Sequence, residues 1–236
     1  MWPVLPVACL NQPSAALPTD GLVCHLDDAV VLGTNPSKII QWTDKSGSGN
    51  HFAQANESHA PVDTRGGVGT ARFTGNAWLL CPRFFSTNRT AELFMVAKTD
   101  SVGGWNTISE WGGDGDTSYW RNSGGAICFG SRRAGNSWSE DGACAMSVID
   151  INVDQVTSDP IAHYNAWVNG AVRVADGVTG GVANWETPNF ALGYQPSWPA
   201  GIYHGYLAEV VVYDHILTSL DRASVTAYLR AKWGTP

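Results

Sequence analysis

Charged residues are scarce in this chain, and long apolar runs are missing. Asp, Glu, Lys and Arg make up 15% of the 236 residues, and the formal net charge is -7. This acidic balance repels nucleic-acid phosphates and anionic lipids. No apolar run approaches the roughly 20 residues that a helix needs to cross a bilayer. We therefore expect no nucleic-acid partner and no membrane span.

The N-terminal residues 1–20 lack any Lys or Arg, and prolines interrupt their apolar sequence. A secretion signal begins with positive charge, so no signal peptide is predicted. We interpret residues 1–20 as an arm that lies on its own domain or packs on a neighbouring subunit. Residues 21–236 contain no repeat or linker and are predicted to form one domain.

Closely spaced cysteines are also missing. The five cysteines are Cys9, Cys24, Cys81, Cys128 and Cys144. Because no two have C-x-x-C spacing, a zinc or redox site is not predicted. Cys128 and Cys144 could face each other across a hairpin, or they could be buried and reduced like small apolar residues.

What is abundant favours β structure. The chain holds 26 Gly and 11 Trp residues, which suits short strands, tight turns and an aromatic core. Strands are predicted over residues 21–32, 70–80, 91–100 and 205–214. A compact turn is expected at 44–52. Residues 101–141 are dense in Gly, Trp, Ser and Asp and are predicted to be loop-rich.

Two local signals are sharper. Asn169-Gly170 joins two alternating runs, which predicts a two-residue type I′ hairpin. One C-terminal helix should begin at a cap on Thr218 or Ser219 and end at Gly234. Its apolar stripe recurs every four residues, at Val225, Leu229 and Trp233. Trp167 and Trp233 are both predicted to lie in the core.

The order of these pieces resembles a known superfamily. The matching segments are IIQWTDKSGSGNHFAQ (39–54), ARFTGNAWL (71–79), AELFMVAKTD (91–100), AWVNGAVR (166–173) and the stretch 190–234 from FALGY to KWG. They resemble the laminin-G-like branch of the concanavalin A-like lectins and glucanases. The resemblance implies an all-β, two-sheet antiparallel jelly-roll sandwich with a short C-terminal α-helix, and frequent carbohydrate binding. Such domains also occur as structural proteins of tailed phages.

The glucanases of this superfamily carry an E-x-D-x-x-E strand. The nearest stretch here, SVIDINVD, offers Asp150 and Asp154 without a glutamate, and Val148 takes the place of the first acid. No nucleophile motif, P-loop or dinucleotide fingerprint occurs either. We therefore expect no enzymatic activity and no organic cofactor.

Calcium stays open, because hard cations need several loop oxygens. The weak candidates are Asp114 and Asp116 in GGDGD, with Asp27 and Asp28 as a second acidic pair. Solvated loop carboxylates are the competing interpretation of both pairs.

Candidate contact residues lie in the tryptophan-rich segment, where rings could stack on sugars beside polar groups. They are Trp105, Trp111, Trp120, Arg121, Asn136 and Trp138. These tryptophans could instead cover a shallow core or line a subunit contact.

Three functions follow from these patterns. The first is a non-enzymatic, lectin-like recognition or assembly domain at a virion surface, whose N-terminal arm contacts other virion proteins or a second copy. The second is a free carbohydrate-binding module that stacks glycans on tryptophans. The third is a divergent glycoside hydrolase. The expected location is the virion surface or the extracellular space.

Overall fold

The structure is a computed structural model that describes residues 16–67, 69–82, 84, 90–100, 106–111, 117–121, 126–131, 134–139, 146–154, 161–180, 190–193 and 203–236. The described strands are β1 (Leu22–Leu32), β2 (Ile39–Asp44), β3 (Phe52–Ala53), β4 (Val62–Asp63), β5 (Ala71–Thr74), β6 (Leu79–Cys81), β7 (Thr90–Thr99), β8 (Asn106–Trp111), β9 (Thr117–Arg121), β10 (Ala126–Ser131), β11 (Ala134–Ser139), β12 (Ser147–Asp154), β13 (Ile161–Val168), β14 (Ala171–Gly180), β15 (Phe190–Leu192) and β16 (His204–Tyr213). Helix α1 spans Ser219–Trp233, and a 3-10 turn spans Glu57–His59.

Antiparallel pairing connects these strands in one continuous order. The order is β11-β10-β9-β8-β15-β6-β3-β2-β1-β16-β7-β12-β13-β14, with β5 on β16 and β4 on β5. β1 joins the two halves, because its first part pairs with β16 and its second part with β2, with register irregularities in both. Strands that pass between packed sheets in this way are typical of sandwiches.

The main core lies between the two sheets. Its largest fully buried side chains include Trp42, Phe52, Phe73, Tyr164 and Phe190. Strands from both halves of the order contribute to this cluster. The molecule is therefore an all-β, two-sheet sandwich with one C-terminal helix, and the predicted fold class is confirmed.

Helix α1 covers the outer face of the β16–β7–β12 sheet. Val225 and Leu229 of the helix are fully buried there, against Phe94, Val211 and other outward residues of the strands. Trp233 packs against the same cluster but stays partly exposed. The predicted apolar stripe is therefore confirmed. Trp233 lies at its C-terminal end and is only partly buried.

Both ends of α1 follow from local chemistry. Thr218 is the N-cap, and its hydroxyl oxygen accepts a hydrogen bond from the Asp221 backbone N–H at 3.2 Å. Gly234 ends the helix with φ of 61°, which favours glycine. The predicted start and end of the helix are both confirmed.

The predicted hairpin is also present. Asn169 and Gly170 join β13 to β14 with φ of 50° and 82°, as a type I′ turn requires. The Asn169 side-chain oxygen accepts a hydrogen bond from the Val148 backbone N–H at 2.8 Å. This bond fastens the turn to the neighbouring strand β12.

The cysteines that the structure describes with their side chains are Cys24 and Cys81, and both are free and buried. Burial raises the pKa of the Cys81 thiol to about 12. The two alternatives for Cys128 and Cys144 stay predictions. Cys9 and Cys144 lie outside the described residues. Within the described part of the chain, no helix is long and apolar enough to cross a membrane.

Candidate functional site

The tryptophan-rich segment, predicted above to be loop-rich, contains four paired strands. β8 pairs with β9, β9 with β10, and β10 with β11, all antiparallel. We call these four strands the tryptophan sheet. Gly, Ser and Asn interrupt their apolar positions, so the alternation that reveals a strand is weak. The loop-rich prediction is therefore wrong for β8–β11.

The strand registers bring some of the predicted contact residues together. Arg121 and Trp138 both pair with Ile127, so they stand in one cross-strand row. Their Cα atoms are two strand spacings apart, or roughly 10 Å. Asn136 pairs with Phe129, two residues from Ile127, and is therefore on the same face of the sheet as Arg121 and Trp138. Trp120 is next to Arg121 on β9 and pairs with Cys128, so it is on the opposite face.

Trp111 is separated from this group. It pairs with Thr117 at the far end of β9 and with Phe190 of β15, a fully buried core residue. Its register position therefore fits the alternative interpretation of a residue beside the core. Trp105, Asp114 and Asp116 lie outside the described residues, so their roles stay predictions.

The second acidic pair, Asp27 and Asp28, interacts with a lysine of the same domain. Asp27 is buried and accepts a hydrogen bond from Lys45 Nζ at 2.7 Å, whereas Asp28 is exposed. Burial raises the pKa of Asp27. The hydrogen bonds that Asp27 makes with Lys45 and Asp28 have the larger combined effect and lower this pKa to about 2. Among the described residues, no group of three or more His, Cys, Asp or Glu could hold a metal ion.

Asp44 organises the predicted turn at 44–52. Its carboxylate accepts hydrogen bonds from the backbone N–H groups of His25, Ser46 and Asn50 at 2.8–2.9 Å. Burial raises the pKa of Asp44, but these bonds and the Ser46 hydroxyl lower it overall. The loop at 44–52 is part of the family resemblance, and the Asp44 carboxylate holds its backbone in place.

The two predicted hydrolase carboxyls do not form a catalytic pair with each other. The Cα atoms of Asp150 and Asp154 are four residues apart on β12, or roughly 13 Å, and since both residues are on one face their parallel side chains keep about that spacing. The two carboxyls of a glycosidase are separated by about 5–9.5 Å. Asp154 accepts a hydrogen bond from the Thr90 hydroxyl at 2.9 Å. Asp150 is 2% exposed and faces the helix side.

Asp150 belongs to a cluster that the sequence did not reveal, which we call the Glu92 cluster (Glu92, Asp150 and Arg222). Arg222 of α1 binds both oxygens of fully buried Glu92, at 2.6 and 3.1 Å. Its Nε lies 3.5 Å from Asp150 Oδ2. Burial, and then the charge of Glu92, raise the pKa of Asp150 well above its usual range.

A second cluster lies at the other end of α1. We call it the Glu209 cluster (His25, Glu209, Lys232 and Trp233). The Glu209 carboxylate is fully buried and lies 2.7 Å from each of His25 Nε2, Lys232 Nζ and Trp233 Nε1. Burial raises the pKa of Glu209, but these three hydrogen bonds lower it overall.

Sequence reasoning missed both clusters, although a signal for their carboxyls exists. Glu92 and Glu209 each interrupt a run of apolar strand residues, AELFMV and LAEVVVY. A charged residue in such a run is seldom fully buried unless it is paired. Their partners on α1 are remote in sequence, so the pairing itself left no local pattern.

No protein-family model matches this chain, and no curated protein matches it in sequence. Solved structures do match it in fold. Trypanosoma rangeli sialidase in complex with sialic acid aligns over 98% of this chain with a TM-score of 0.66 and 18% identity. The alignment spans 35% of the sialidase, so this chain has about a third of that protein's length.

Two further structures match with lower TM-scores. Domain 4 of the extracellular arabinanase AbnA from Geobacillus stearothermophilus, in complex with arabinotriose, is 17% identical, with a TM-score of 0.56. That alignment covers 88% of this chain and 97% of the domain. The binding domain of Paraclostridial Mosquitocidal Protein 1 has a TM-score of 0.54 at 13% identity, over 89% of this chain and 52% of that one. At these identities the likeness establishes a shared β-sandwich fold.

Proposed function

We propose that this chain is a non-enzymatic, lectin-like carbohydrate-recognition domain whose glycan contacts lie on the tryptophan sheet. The observation that carries this proposal is the strand register. It puts Arg121 and Trp138 in one cross-strand row, and Asn136 is two residues from Trp138 on β11, on the same face of the sheet. Residues that would be scattered over separate loops are thus brought together on one face of three consecutive strands.

The chemistry of these residue types suits a sugar. A sugar ring has an apolar C–H face that stacks on an indole and a rim of hydroxyls that needs polar partners. Arginine offers five donors in a fixed planar arrangement. An Arg and a Trp roughly 10 Å apart on a stiff sheet can contact one oligosaccharide without ordering a loop.

The structural comparisons support this proposal at the level of the fold. The arabinanase domain that aligns over nearly its whole length was solved in complex with arabinotriose. The sialidase contains the matching fold as about a third of a larger chain. The names of both proteins refer to carbohydrates that they bind or act on. A glycan is therefore the first ligand to test for this chain.

The non-enzymatic part of the proposal rests on the carboxyls of the described residues. Asp150 is buried in the Glu92 cluster, and Asp154 is too far from it to act as its partner in glycoside hydrolysis. We therefore expect the glycan that binds most tightly to be released unchanged. Incubating the protein with that glycan and measuring reducing ends tests this, and sugar release would favour the hydrolase hypothesis.

A glycan array followed by calorimetry with the best glycan tests the binding proposal. Trp138→Ala, Arg121→Met and Asn136→Ala should each weaken binding by about tenfold or more, because each removes a stacking surface or a hydrogen-bonding group. Trp120→Ala is the matched control, since Trp120 is on the opposite face of the same sheet. Near-ultraviolet circular dichroism verifies that every variant is folded.

Two outcomes would overturn the proposal. One is a folded protein that binds nothing on a broad array. The other is a bound glycan whose affinity is unchanged by all three substitutions, because the site would then lie elsewhere. Equal loss of binding in Trp120→Ala would point to a general defect of the sheet and not to a contact on one face.

The assembly role at a virion surface stays a prediction, and none of the comparisons supports it. The described end of the arm packs on its own domain, where Leu17 contacts the helix-side cluster and Tyr213 Oη donates to the Pro18 carbonyl at 3.0 Å. Light scattering of the full chain beside a version lacking residues 1–15 tests self-assembly. Association that disappears with the deletion would bring the assembly hypothesis forward.

A further inference from the structure

An open cleft runs along helix α1, on the outer face of the sheet that the helix covers. We call it the helix cleft. It lies between α1 and the β12–β13 strands and has a volume of about 380 Å³. Ala223 and Ala227 form part of its helix wall, and both are exposed. These two residues are one turn apart and project nothing beyond Cβ, so the groove stays open.

The opposite wall is aromatic. Trp167 of β13 lines the cleft, and its ring is held by Arg222, whose guanidinium carbon lies 4.2 Å from the ring centroid. This contact is a cation–π interaction. Trp167 was predicted to lie in the sandwich core, but it is half-buried on the helix side. The core prediction for Trp167 is therefore wrong, and the ring is part of an accessible wall.

Asp150 lies among the residues that line this cleft, and its carboxyl is buried. The neighbouring Glu92 carboxyl can share a proton with Asp150, but neither Asp150 oxygen accepts a hydrogen bond from an N–H group or a hydroxyl. The closest cation is Arg222, whose Nε contact of 3.5 Å is long, and that guanidinium makes its short bonds to Glu92. A buried carboxyl without a donor costs free energy, so this group calls for a partner that supplies one.

The charges around the cleft indicate which partner fits. Arg222 is neutralised by Glu92, and the raised pKa of Asp150 favours its uncharged form. Arg230 is exposed at the rim and donates to the Asn169 carbonyl at 3.4 Å. No unpaired anion remains at the lining to attract a cation. A hydroxyl fits better, because it both donates to and accepts from a carboxyl.

We propose that the helix cleft binds a small, neutral, polyhydroxylated molecule of the size of a monosaccharide or polyol. Its hydroxyls would bond to Asp150, and its carbon skeleton would lie along Ala223, Ala227 and the Trp167 ring. The cleft is near the lower end of the 300–1,000 Å³ range of small-molecule sites, as a ligand of one ring requires. This site lies on the outer face of the sandwich and does not depend on glycan binding at the tryptophan sheet.

Ligand-observed saturation-transfer NMR tests the proposal with the full chain. The probes are glucose, galactose, arabinose, glycerol and myo-inositol, with glucuronate and inorganic phosphate as anionic comparisons. We expect at least one neutral probe to bind with millimolar affinity. Ala227→Leu should abolish its signal, because the added side chain fills the cleft from an exposed position. Ala231→Leu is the matched control, since Ala231 is an exposed helix residue that does not line the cleft.

Two more variants separate this site from the proposed function. Asp150→Ala should weaken the neutral probe at least tenfold, whereas Trp138→Ala on the tryptophan sheet should leave it unchanged. Loss of binding in Trp138→Ala with no effect of Ala227→Leu would locate the probe on the tryptophan sheet and overturn the inference. It is also overturned if no neutral probe binds, which would leave water as the partner of Asp150, or if phosphate or glucuronate binds more tightly than every neutral probe.

Discussion

Two carboxyl groups, those of Glu209 and Asp150, are buried beneath the same helix, but their pKa values are shifted in opposite directions. Glu209 has three donors at 2.7 Å, and its pKa is lowered. Asp150 accepts no hydrogen bond from an N–H group or a hydroxyl, and burial and the charge of Glu92 raise its pKa well above its usual range. Both residues stand on strands of the same sheet, so burial alone does not decide the charge of an acid. The donors and the neighbouring charges decide it: Glu209 is surrounded by donors, whereas Asp150 lies beside the negative charge of Glu92.

This difference separates a structural cluster from a candidate site. At the C-terminal end of α1 every Glu209 oxygen is used, and the cluster fastens the helix to the sheet. Nearer the N-terminal end of α1, Arg222 makes its short hydrogen bonds to Glu92. The Asp150 carboxyl can therefore still form hydrogen bonds to another group. The predictions below test the contrast, beginning with the largest expected effect.

Replacing Glu209 should destabilise the protein most. Glu209→Ala leaves Lys232 and the Trp233 indole N–H without their buried acceptor, and we expect a loss of roughly 3–5 kcal/mol in the free energy of unfolding. Urea denaturation measures it. Asp28→Ala is the control, because the Asp28 side chain is 76% exposed and its loss should be small. Equal effects of the two substitutions would contradict the structural role of Glu209.

Removing Arg222 should cost less, about 2–3 kcal/mol, because Glu92 keeps its hydrogen bond from the Leu217 backbone N–H at 2.7 Å. Arg222→Met is the test, again by urea denaturation. Arg222→Lys keeps the charge but cannot bond both Glu92 oxygens in the same planar arrangement, so we expect it to recover part of the loss. Full recovery by lysine would show that charge alone matters at this position.

Lys45→Met should remove about 1 kcal/mol at neutral pH, since Lys45 is partly exposed. The folded pKa of Asp27 is about 2, below its unfolded value near 3.9, so this contribution is complete above about pH 4. It is lost as the pH falls from about 4 to 2. The difference in stability between wild type and variant should shrink over that interval in acid titrations followed by circular dichroism. A constant difference would indicate that Asp27 is not involved.

Asp150→Asn should have the smallest effect at neutral pH, within about 1 kcal/mol, because asparagine resembles the protonated acid that burial favours. The sign of its pH dependence is specific. The folded pKa of Asp150 is raised, so above about pH 4 the unfolded chain releases a proton that the folded chain retains, and wild-type stability falls with rising pH. The variant should therefore gain relative to wild type as the pH rises from about 4. A relative loss would mean that Asp150 is charged in the folded protein.

The sequence predicted what local chemistry determines. The ends of α1, the Asn169-Gly170 turn and the loop around Asp44 follow from caps, positive φ and short-range hydrogen bonds. It did not predict the strands of the tryptophan sheet, because β9 and β11 have little apolar alternation and depend on their neighbours in the sheet.

The candidate sites were harder to predict for a related reason. The partners Glu92 and Arg222 are 130 positions apart, and His25 and Glu209 are 184 apart. No spacing rule connects such residues, so their contacts appear only when the sheet order is known. Trp167 illustrates the same limit, because its strand alternation does not tell the sandwich core from the face beneath the helix.

The described ends of the chain both lie on the side of helix α1. Leu17 packs against the helix-side cluster, and the chain ends at Pro236, two residues after the helix cap. A surface or fusion partner attached at the C-terminus would therefore hold the domain by its helix side. Immobilisation built this way would crowd the helix cleft. The choice of attachment point would thus decide whether an assay can detect a ligand in that cleft.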